Sequence, residues 1–218
     1  MKAGIVGLPN VGKSTLFNCL SNTKAQSANF PFCTIEPNHS IINVPDKRLI
    51  TLQEIVNPEK LIPATVEIVD IAGLVKGASK GEGLGNKFLA NIRETDAIIH
   101  VLRCFDNDNI THVDGSVDPI RDKEIIDIEL QLKDLESLNN RLEKVSRTVK
   151  SGDKEAAREK EVLNQAISFI ESSNNIRSID LDEDDINKYL KPLQLITSKP
   201  VLYVCNVDER SVTSSNSY

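Results

Sequence analysis

The chain has 218 residues, a formal net charge of −6 and a sequence pI of about 5.2, which suits one full domain with room for an insertion. The sequence contains no apolar run of the roughly 18 residues that a membrane span needs, and its N-terminus lacks the apolar core of a secretory signal peptide. We therefore expect a cytoplasmic protein without a membrane partner. The acidic balance also argues against general coating of nucleic acid, although it allows a local basic stripe.

Apolar segments and helical patterns alternate along the chain. The apolar segments predict five strands, at residues 2–7, 40–44, 65–70, 97–105 and 201–206. A glycine-rich turn after the first strand leads into a helix predicted from Lys13 to Leu20, and residues 24–37 are typical of a loop. Strands that alternate with helices favour an α/β fold, with a mostly parallel sheet flanked by helices.

The pattern changes between residues 106 and 196. Apolar side chains recur there at three- and four-residue steps, on both sides of a turn signal at residues 151–153. This predicts an antiparallel helical hairpin, a coiled-coil-like arm, inserted into an α/β domain formed by residues 1–105 and 197–209. The alternative is an ordinary helix pair packed on the sheet. Residues 210–218 are rich in Ser and carry no period, so we expect a disordered tail.

The turn after the first strand reads Gly7-Leu8-Pro9-Asn10-Val11-Gly12-Lys13-Ser14, which fits the phosphate-loop pattern G-x-x-x-x-G-K-[ST]. Its glycines permit a tight ring of backbone N–H groups around phosphate oxygens, and the next helix directs its N-terminus at them. Lys13 is predicted to act in catalysis at the β- and γ-phosphates, and the Ser14 hydroxyl is predicted to ligate Mg²⁺. Together these features predict a GTPase-like P-loop NTPase fold. The residues predicted to bind nucleotide here are Asn10, Val11, Gly12, Lys13, Ser14 and Thr15.

A second motif, Asp70-Ile71-Ala72-Gly73, follows the third predicted strand. Taken alone D-x-x-G is a weak signal, but the carboxyl ends of strands are where open α/β sheets bind ligands. We expect Asp70 to hold a water of the Mg²⁺ shell and Gly73 to donate its N–H to the γ-phosphate. Thr34 is a candidate to complete that shell, with a plain loop threonine as the alternative. The glycine-rich residues 76–85 predict a mobile segment that orders on ligand binding.

The last predicted strand ends in Asn206-Val207-Asp208-Glu209. GTPases carry Asn-Lys-x-Asp at this point, and the Asp accepts hydrogen bonds from guanine. Glu209 is one methylene longer than that Asp and should misplace the contact, whereas Asn206 can still bond to N7 and the exocyclic amine of adenine. We therefore expect Asn206, Val207 and Glu209 to line a base site that prefers ATP and binds GTP more weakly.

Taken together, these motifs resemble the YchF family of Obg-like ATPases, a branch of the translation-factor-related P-loop GTPases. The segments that carry the resemblance are residues 7–15, 29–38, 70–74, 77–89 and 206–209. The resemblance implies a preference for ATP, a coiled-coil insertion, a cytosolic location and association with ribosomes. Members of the family continue beyond the position of Glu209 with a further strand, another base-contacting loop and a TGS domain, where this chain carries residues 210–218.

Hydrolysis is expected to be slow, because Leu74 stands where many GTPases carry a Gln that orients the attacking water. Two other groups are candidates to align that water. One is His112, since an imidazole suits a polarising role, although a lone loop histidine is more often simply solvated. The other is K⁺, because Asn10 resembles the residue that ligates K⁺ in potassium-activated relatives.

Basic residues recur along the predicted hairpin. The functional interpretation is contact with ribosomal RNA, and the alternative is a solvated helix face balanced by glutamates. Two other overall functions stay open: a GTPase of the same fold, and a nucleotide-dependent binding or scaffold protein without significant turnover. The basic residues are Arg141, Lys144, Arg147, Lys150, Lys154 and Arg158.

Overall fold

The computed structural model describes residues 1–21, 38–71, 73, 77, 84–107, 109–149 and 153–218. Within these residues five strands form one sheet in the order β2-β3-β1-β4-β5. Three neighbouring pairs are parallel, and β2 runs antiparallel to β3. The predicted mostly parallel α/β sheet is thus confirmed. The strands are β1 (Lys2–Val6), β2 (Asn38–Asn43), β3 (Thr65–Asp70), β4 (Ala97–Cys104) and β5 (Val201–Val207).

Five helices of eight residues or more lie in the described part of the chain. The first begins at Lys13 as predicted, and the fourth and fifth are the two halves of the predicted hairpin. None of the described helices is long and apolar enough to cross a lipid bilayer. The helices are α1 (Lys13–Leu20), α2 (Lys47–Val56), α3 (Leu84–Arg93), α4 (Pro119–Val149) and α5 (Lys154–Glu171).

A chain of short turns returns from α5 to β5. It contains a one-turn helix α6 (Glu183–Asp185), a π-helical turn at Ile186–Leu190 and 3₁₀ turns at Ile176–Ser178, Lys191–Leu193 and Ile196–Ser198. The acidic run at 180–185 supplies the start of α6, because the Asp182 side chain accepts a hydrogen bond from the backbone N–H of Asp184 at 2.9 Å.

Two hydrophobic cores share helix α4. Ile126 and Leu130, near its N-terminal end, are buried in the core beneath the sheet. Leu138 and Val145, further along the same helix, belong to a second core that they form with α5 and the turns after it. The root of the hairpin therefore packs on the sheet, as in the alternative considered above, while the outer part has a core of its own.

The C-terminal residues differ from the expected disordered tail. A 3₁₀ turn covers Glu209–Val212. Beyond it, the Asn216 side chain donates to the Cys104 carbonyl at 2.9 Å, and the Tyr218 hydroxyl donates to Asp106 at 2.5 Å. Polar side chains thus attach the C-terminal residues to the carboxyl end of β4. Hydrophobic periodicity does not detect polar contacts of this kind.

Asp134 joins the middle of α4 to the turn that precedes β5. Its fully buried carboxylate accepts hydrogen bonds from the backbone N–H of Ile196 at 2.8 Å and from the N–H and hydroxyl of Thr197, each at 2.7 Å. Burial raises the pKa of this carboxyl, and the three donors and nearby Arg93 act in the opposite direction. The carboxylate thus satisfies donors that have no water to turn to.

We predict that Asp134→Ala lowers the free energy of unfolding by about 3 kcal/mol, because it leaves several buried donors without an acceptor. Urea denaturation followed by circular dichroism measures the change. Glu124→Ala, at an exposed site on the same helix, is the matched control and should change stability by less than about 0.5 kcal/mol. A loss below about 1 kcal/mol for Asp134→Ala would contradict the assigned role.

Candidate nucleotide-binding site

The turn between β1 and α1 is a tight loop with glycine at both critical positions. Gly12 has a φ of 102°, and a Cβ on it would lie 2.4 Å from Nδ2 of Asn206. A Cβ on Gly7 would lie 2.5 Å from the Val101 carbonyl oxygen. The N-cap residue of α1 is Gly12, which has no side chain that could accept a hydrogen bond from the first-turn N–H groups. A helix start of this kind, behind a curved loop, suits an anion such as phosphate.

Lys13 lies inside this loop and is almost fully buried. Its Nζ donates to the Leu8 carbonyl at 2.7 Å. Desolvation lowers the pKa of Lys13 to about 8, and the charge of Asp70 acts in the opposite direction. An anionic oxygen bound in the loop would add to the counter-charge that Asp70 provides for this ammonium group.

Ser14 and Asp70 meet at the carboxyl edge of the sheet. The Ser14 hydroxyl donates to Oδ2 of Asp70 at 2.8 Å, while the buried Oδ1 of Asp70 has no hydrogen-bond partner among the described residues. Burial raises the pKa of Asp70, and Ser14 and Lys13 oppose that shift. An orphaned carboxylate oxygen beside a hydroxyl is a hard oxygen donor set, which fits a hydrated Mg²⁺ ion. These two predicted metal-site residues are therefore adjacent.

Gly73 packs directly against the phosphate loop. A Cβ at this position would lie 3.1 Å from Nζ of Lys13 and 3.1 Å from the backbone N of Pro9. The glycine of the predicted D-x-x-G motif thus borders the predicted phosphate site. Thr34, the third predicted metal-site residue, and Leu74 lie outside the described residues.

Asn206 braces the phosphate loop from the end of β5. Its Nδ2 donates to the Val11 carbonyl at 3.0 Å, a contact that sequence reasoning missed because it assigned this amide to the base. Val207 is the last residue of β5, and Glu209 begins the exposed turn that follows. Thr15 is exposed on α1, and Val11 is buried in the core under the sheet.

The other side of the loop is braced by Asn10, which has a left-handed φ of 62°. Its Nδ2 donates to the Thr111 carbonyl at 3.1 Å. The neighbouring His112 is buried, with Nε2 2.8 Å from Asp122 of α4. Its Nδ1 accepts from the backbone N–H of Asp114 at 3.1 Å, so the proton between His112 and Asp122 lies on Nε2. His112 is thus not a solvated loop histidine.

Arg103 organises the loop that carries His112. The side chain is 2% exposed at the end of β4. It donates to the carbonyls of Phe105 at 3.1 Å, Ile110 at 2.9 Å and Asn107 at 3.3 Å. Arg103 is not among the residues predicted above, although a lone charge inside an apolar strand is a signal that could have found it. The three carbonyl acceptors replace the water that the buried Arg103 guanidinium loses on folding.

Fold and site geometry define a P-loop nucleotide-binding protein of the GTPase class. The family described as "50S ribosome-binding GTPase" matches residues 2–140 of the chain. Within that class the chain belongs to the YchF family.

The relatives on which this assignment rests are similar over nearly the whole chain. "Ribosome-binding ATPase YchF" of Bacillus subtilis (strain 168) is 56% identical over 97% of this chain and 58% of its own length. The protein of the same name from Escherichia coli O157:H7 is 53% identical over 95% of this chain and 57% of its own.

A solved structure, "Structure of the Schizosaccharomyces pombe YchF GTPase", superposes with a TM-score of 0.78 at 40% identity and covers 97% of this chain and 57% of that one. The chain therefore spans less than two thirds of the length of each of these three relatives.

We predict that binding of Mg²⁺ and a nucleoside triphosphate takes up about half a proton at pH 8, because Lys13 with a pKa of about 8 is then half protonated and bound phosphate raises its pKa. Affinity should accordingly fall as the pH rises above 8. Calorimetry in two buffers of different ionisation enthalpy measures the uptake, and the same titration at pH 6.5 is the control, where uptake should be close to zero. Equal heats in both buffers at pH 8 would contradict the lowered pKa of Lys13.

Proposed function

We propose that the chain binds and slowly hydrolyses ATP with Mg²⁺, and that it acts in the cytoplasm as a nucleotide-dependent switch that associates with ribosomes. The observation that carries the proposal is the buried Asp70 carboxylate near Lys13: one of its oxygens accepts from Ser14, and the other has no partner in the described part of the chain. Three predicted site residues from two separate motifs thus form one polar cluster. Carboxylate, hydroxyl and ammonium groups are what a Mg²⁺–triphosphate complex requires.

The preference for ATP rests on the base-site motif. Glu209 stands where GTPases carry the Asp that reads guanine, and the relatives from B. subtilis and E. coli are named ATPases. A GTPase is the second candidate, because the S. pombe structure and the matching family are both described as GTPases. The Asn206 side-chain NH2 group has two N–H bonds and donates one of them to the phosphate loop, so its second N–H and its Oδ1 would be left for N7 and the exocyclic amine of adenine.

Phosphoryl transfer requires positioning and charge neutralisation rather than covalent chemistry. A water oxygen attacks the γ-phosphorus, and the bond to the β–γ bridging oxygen breaks. Lys13 would hold the β- and γ-phosphates and Gly73 would donate its N–H to the γ-phosphate. Ser14 and Asp70 would hold Mg²⁺ together with Thr34, Asp70 through a water, and the ion would neutralise the developing charge. K⁺ beside Asn10 is proposed as a second cation.

We propose His112 as the group that polarises the attacking water, in a conformation in which its ring has left Asp122. This requires movement, because both ring nitrogens are engaged in the described conformation. Apo geometry of this kind does not disqualify a catalytic group. If nothing aligns the water, the remaining candidate is a nucleotide-dependent binding protein without significant turnover, which Leu74 in place of a Gln favours.

Ribosome association rests on the names of the relatives more than on surface charge. Lys150 lies outside the described residues, and three of the other five basic hairpin residues are paired with carboxylates: Arg141 with Glu159 at 2.6 Å, Arg158 with Asp185 at 2.6 Å, and Arg147 with Glu143. These pairs reduce the positive charge that the hairpin offers to RNA phosphates. Contact with ribosomal RNA is therefore proposed for the remaining lysines, Lys144, Lys150 and Lys154.

We predict that ATP competes with a fluorescent nucleotide at least tenfold more strongly than GTP when Mg²⁺ and K⁺ are present, because Glu209 misplaces the guanine contact. Fluorescence anisotropy measures both affinities. The same titration without Mg²⁺ measures how much the metal contributes to nucleotide affinity. A preference for GTP would select the GTPase candidate. Binding of neither nucleotide would refute the proposed function for this chain.

We predict that His112→Ala lowers the rate of ATP hydrolysis at least tenfold and changes the affinity for ATP less than twofold, because general acid–base groups contribute about 10²–10⁴-fold to rate. Phosphate release and equilibrium binding measure the two quantities. Asp122→Asn is the matched control: it loosens the imidazole without removing it, and it should keep most of the activity. If both variants instead weaken binding equally, His112 only anchors the loop that holds Asn10.

A further inference from the structure

Helix α4 contacts three separate segments around the proposed nucleotide site, each through a buried carboxylate. Asp122 binds His112, next to the carbonyl that holds Asn10 of the phosphate loop. Glu129 binds the backbone of Gly77. Asp134 binds the turn that leads into β5. All three carboxylates are at most 4% exposed, and acidic side chains are seldom buried so deeply unless they are paired.

The Glu129 contact is the one closest in sequence to a predicted phosphate-sensing residue. Gly77 lies four residues after Gly73, and its N–H donates to Oε1 of Glu129 at 2.5 Å. The backbone of Gly77 is left-handed, with a φ of 88°, while a Cβ there would meet no described residue within 4 Å. Backbone conformation rather than space therefore requires glycine at this position, and Glu129 accepts from the N–H which that conformation exposes.

The same helix also holds α3, which follows this segment. Lys133, one turn beyond Glu129, donates to Oδ1 of Asn86 at 3.2 Å. Arg93, at the other end of α3, donates to the hydroxyl of Ser137 at 2.7 Å. Directly after Ser137, α4 enters the second core through Leu138. One continuous helix thus connects Gly77 and α3 to the outer part of the hairpin.

We propose that Glu129 is a positioning residue that fixes the backbone at Gly77, and that α4 thereby links the state of the nucleotide site to the outer hairpin. The link rests on the proposed function, because it supposes that a γ-phosphate displaces the backbone around Gly73. Coupling of this kind is reciprocal. A partner that binds the hairpin would change the nucleotide affinity by the same factor by which nucleotide changes the affinity for the partner.

The positioning contact is testable without nucleotide. In the full chain, Glu129→Ala should speed amide hydrogen exchange at Gly77 about tenfold or more, measured by NMR, because the N–H loses a charged acceptor. Glu129→Gln retains a carbonyl acceptor and should recover most of the protection. Glu124→Ala, an exposed glutamate on the same helix, should leave exchange unchanged. Equal exchange at Gly77 in the wild type and Glu129→Ala would overturn the proposal, as would equal acceleration throughout the chain.

The link to the hairpin is tested with Mg²⁺ and a non-hydrolysable ATP analogue, with binding followed by calorimetry. We expect the analogue to change amide exchange at residues 136–149 in the wild type and Glu124→Ala, and to leave it unchanged in Glu129→Ala, although all three bind. Binding without a hairpin response in the wild type, or an equal response in Glu129→Ala, would overturn the link. If the wild type does not bind the analogue, the proposed function fails, and with it the link, whereas the exchange rate at Gly77 still decides the positioning contact.

Discussion

Two opposite charges, Lys13 and Asp70, are buried at the carboxyl edge of the sheet, and the rest of the site is arranged around them. Each charge loses water on folding, and this desolvation is unfavourable unless partners replace the solvent. Part of the desolvation cost is offset by the Leu8 carbonyl, the Ser14 hydroxyl and the mutual attraction of the pair. Within the described structure the offset is incomplete, since one oxygen of Asp70 has no partner there. A ligand that brings a cation and anionic oxygens together would compensate for the rest of the desolvation cost. The ligand-free protein therefore keeps the site preformed, and its free energy of unfolding is lower for it.

The parts of this site that sequence could predict are local in the chain. The phosphate loop and the D-x-x-G motif each combine a fixed spacing with a strand end, and parallel strands end at one edge, so Ser14 and Asp70 were expected to meet. The bracing contacts could not be predicted in the same way. The Asn206 amide reaches Val11 because β4 and β5 pair in a register that sets Asn206 opposite Arg103. Single-sequence patterns do not encode such a register.

The hairpin illustrates a second limit of sequence patterns. Its apolar period predicted two antiparallel helices, which α4 and α5 are, but periodicity does not say against what a helix packs. Helix α4 carries apolar residues of two cores in succession, so the change of partner occurs within one uninterrupted helix. The basic residues show the same limit for charge, because the sequence does not say which carboxylates they contact. The sequence left open whether these residues contact RNA or are balanced by glutamates, and tertiary contacts pair Arg141 with Glu159 and Arg158 with Asp185.

The two sides of the nucleotide site are held in different ways, and this difference bears on how a nucleotide state could be sensed. The phosphate loop is braced by Asn206 on one side and by Asn10 on the other, through contacts that need no ligand. The loop therefore keeps its conformation whichever nucleotide is bound. Gly73 borders Lys13, and the backbone four residues later is held only through a carboxylate of α4, as far as the described contacts go. Discrimination between a triphosphate and a diphosphate would then reside on this second side, which is also the side that a helix connects to the hairpin.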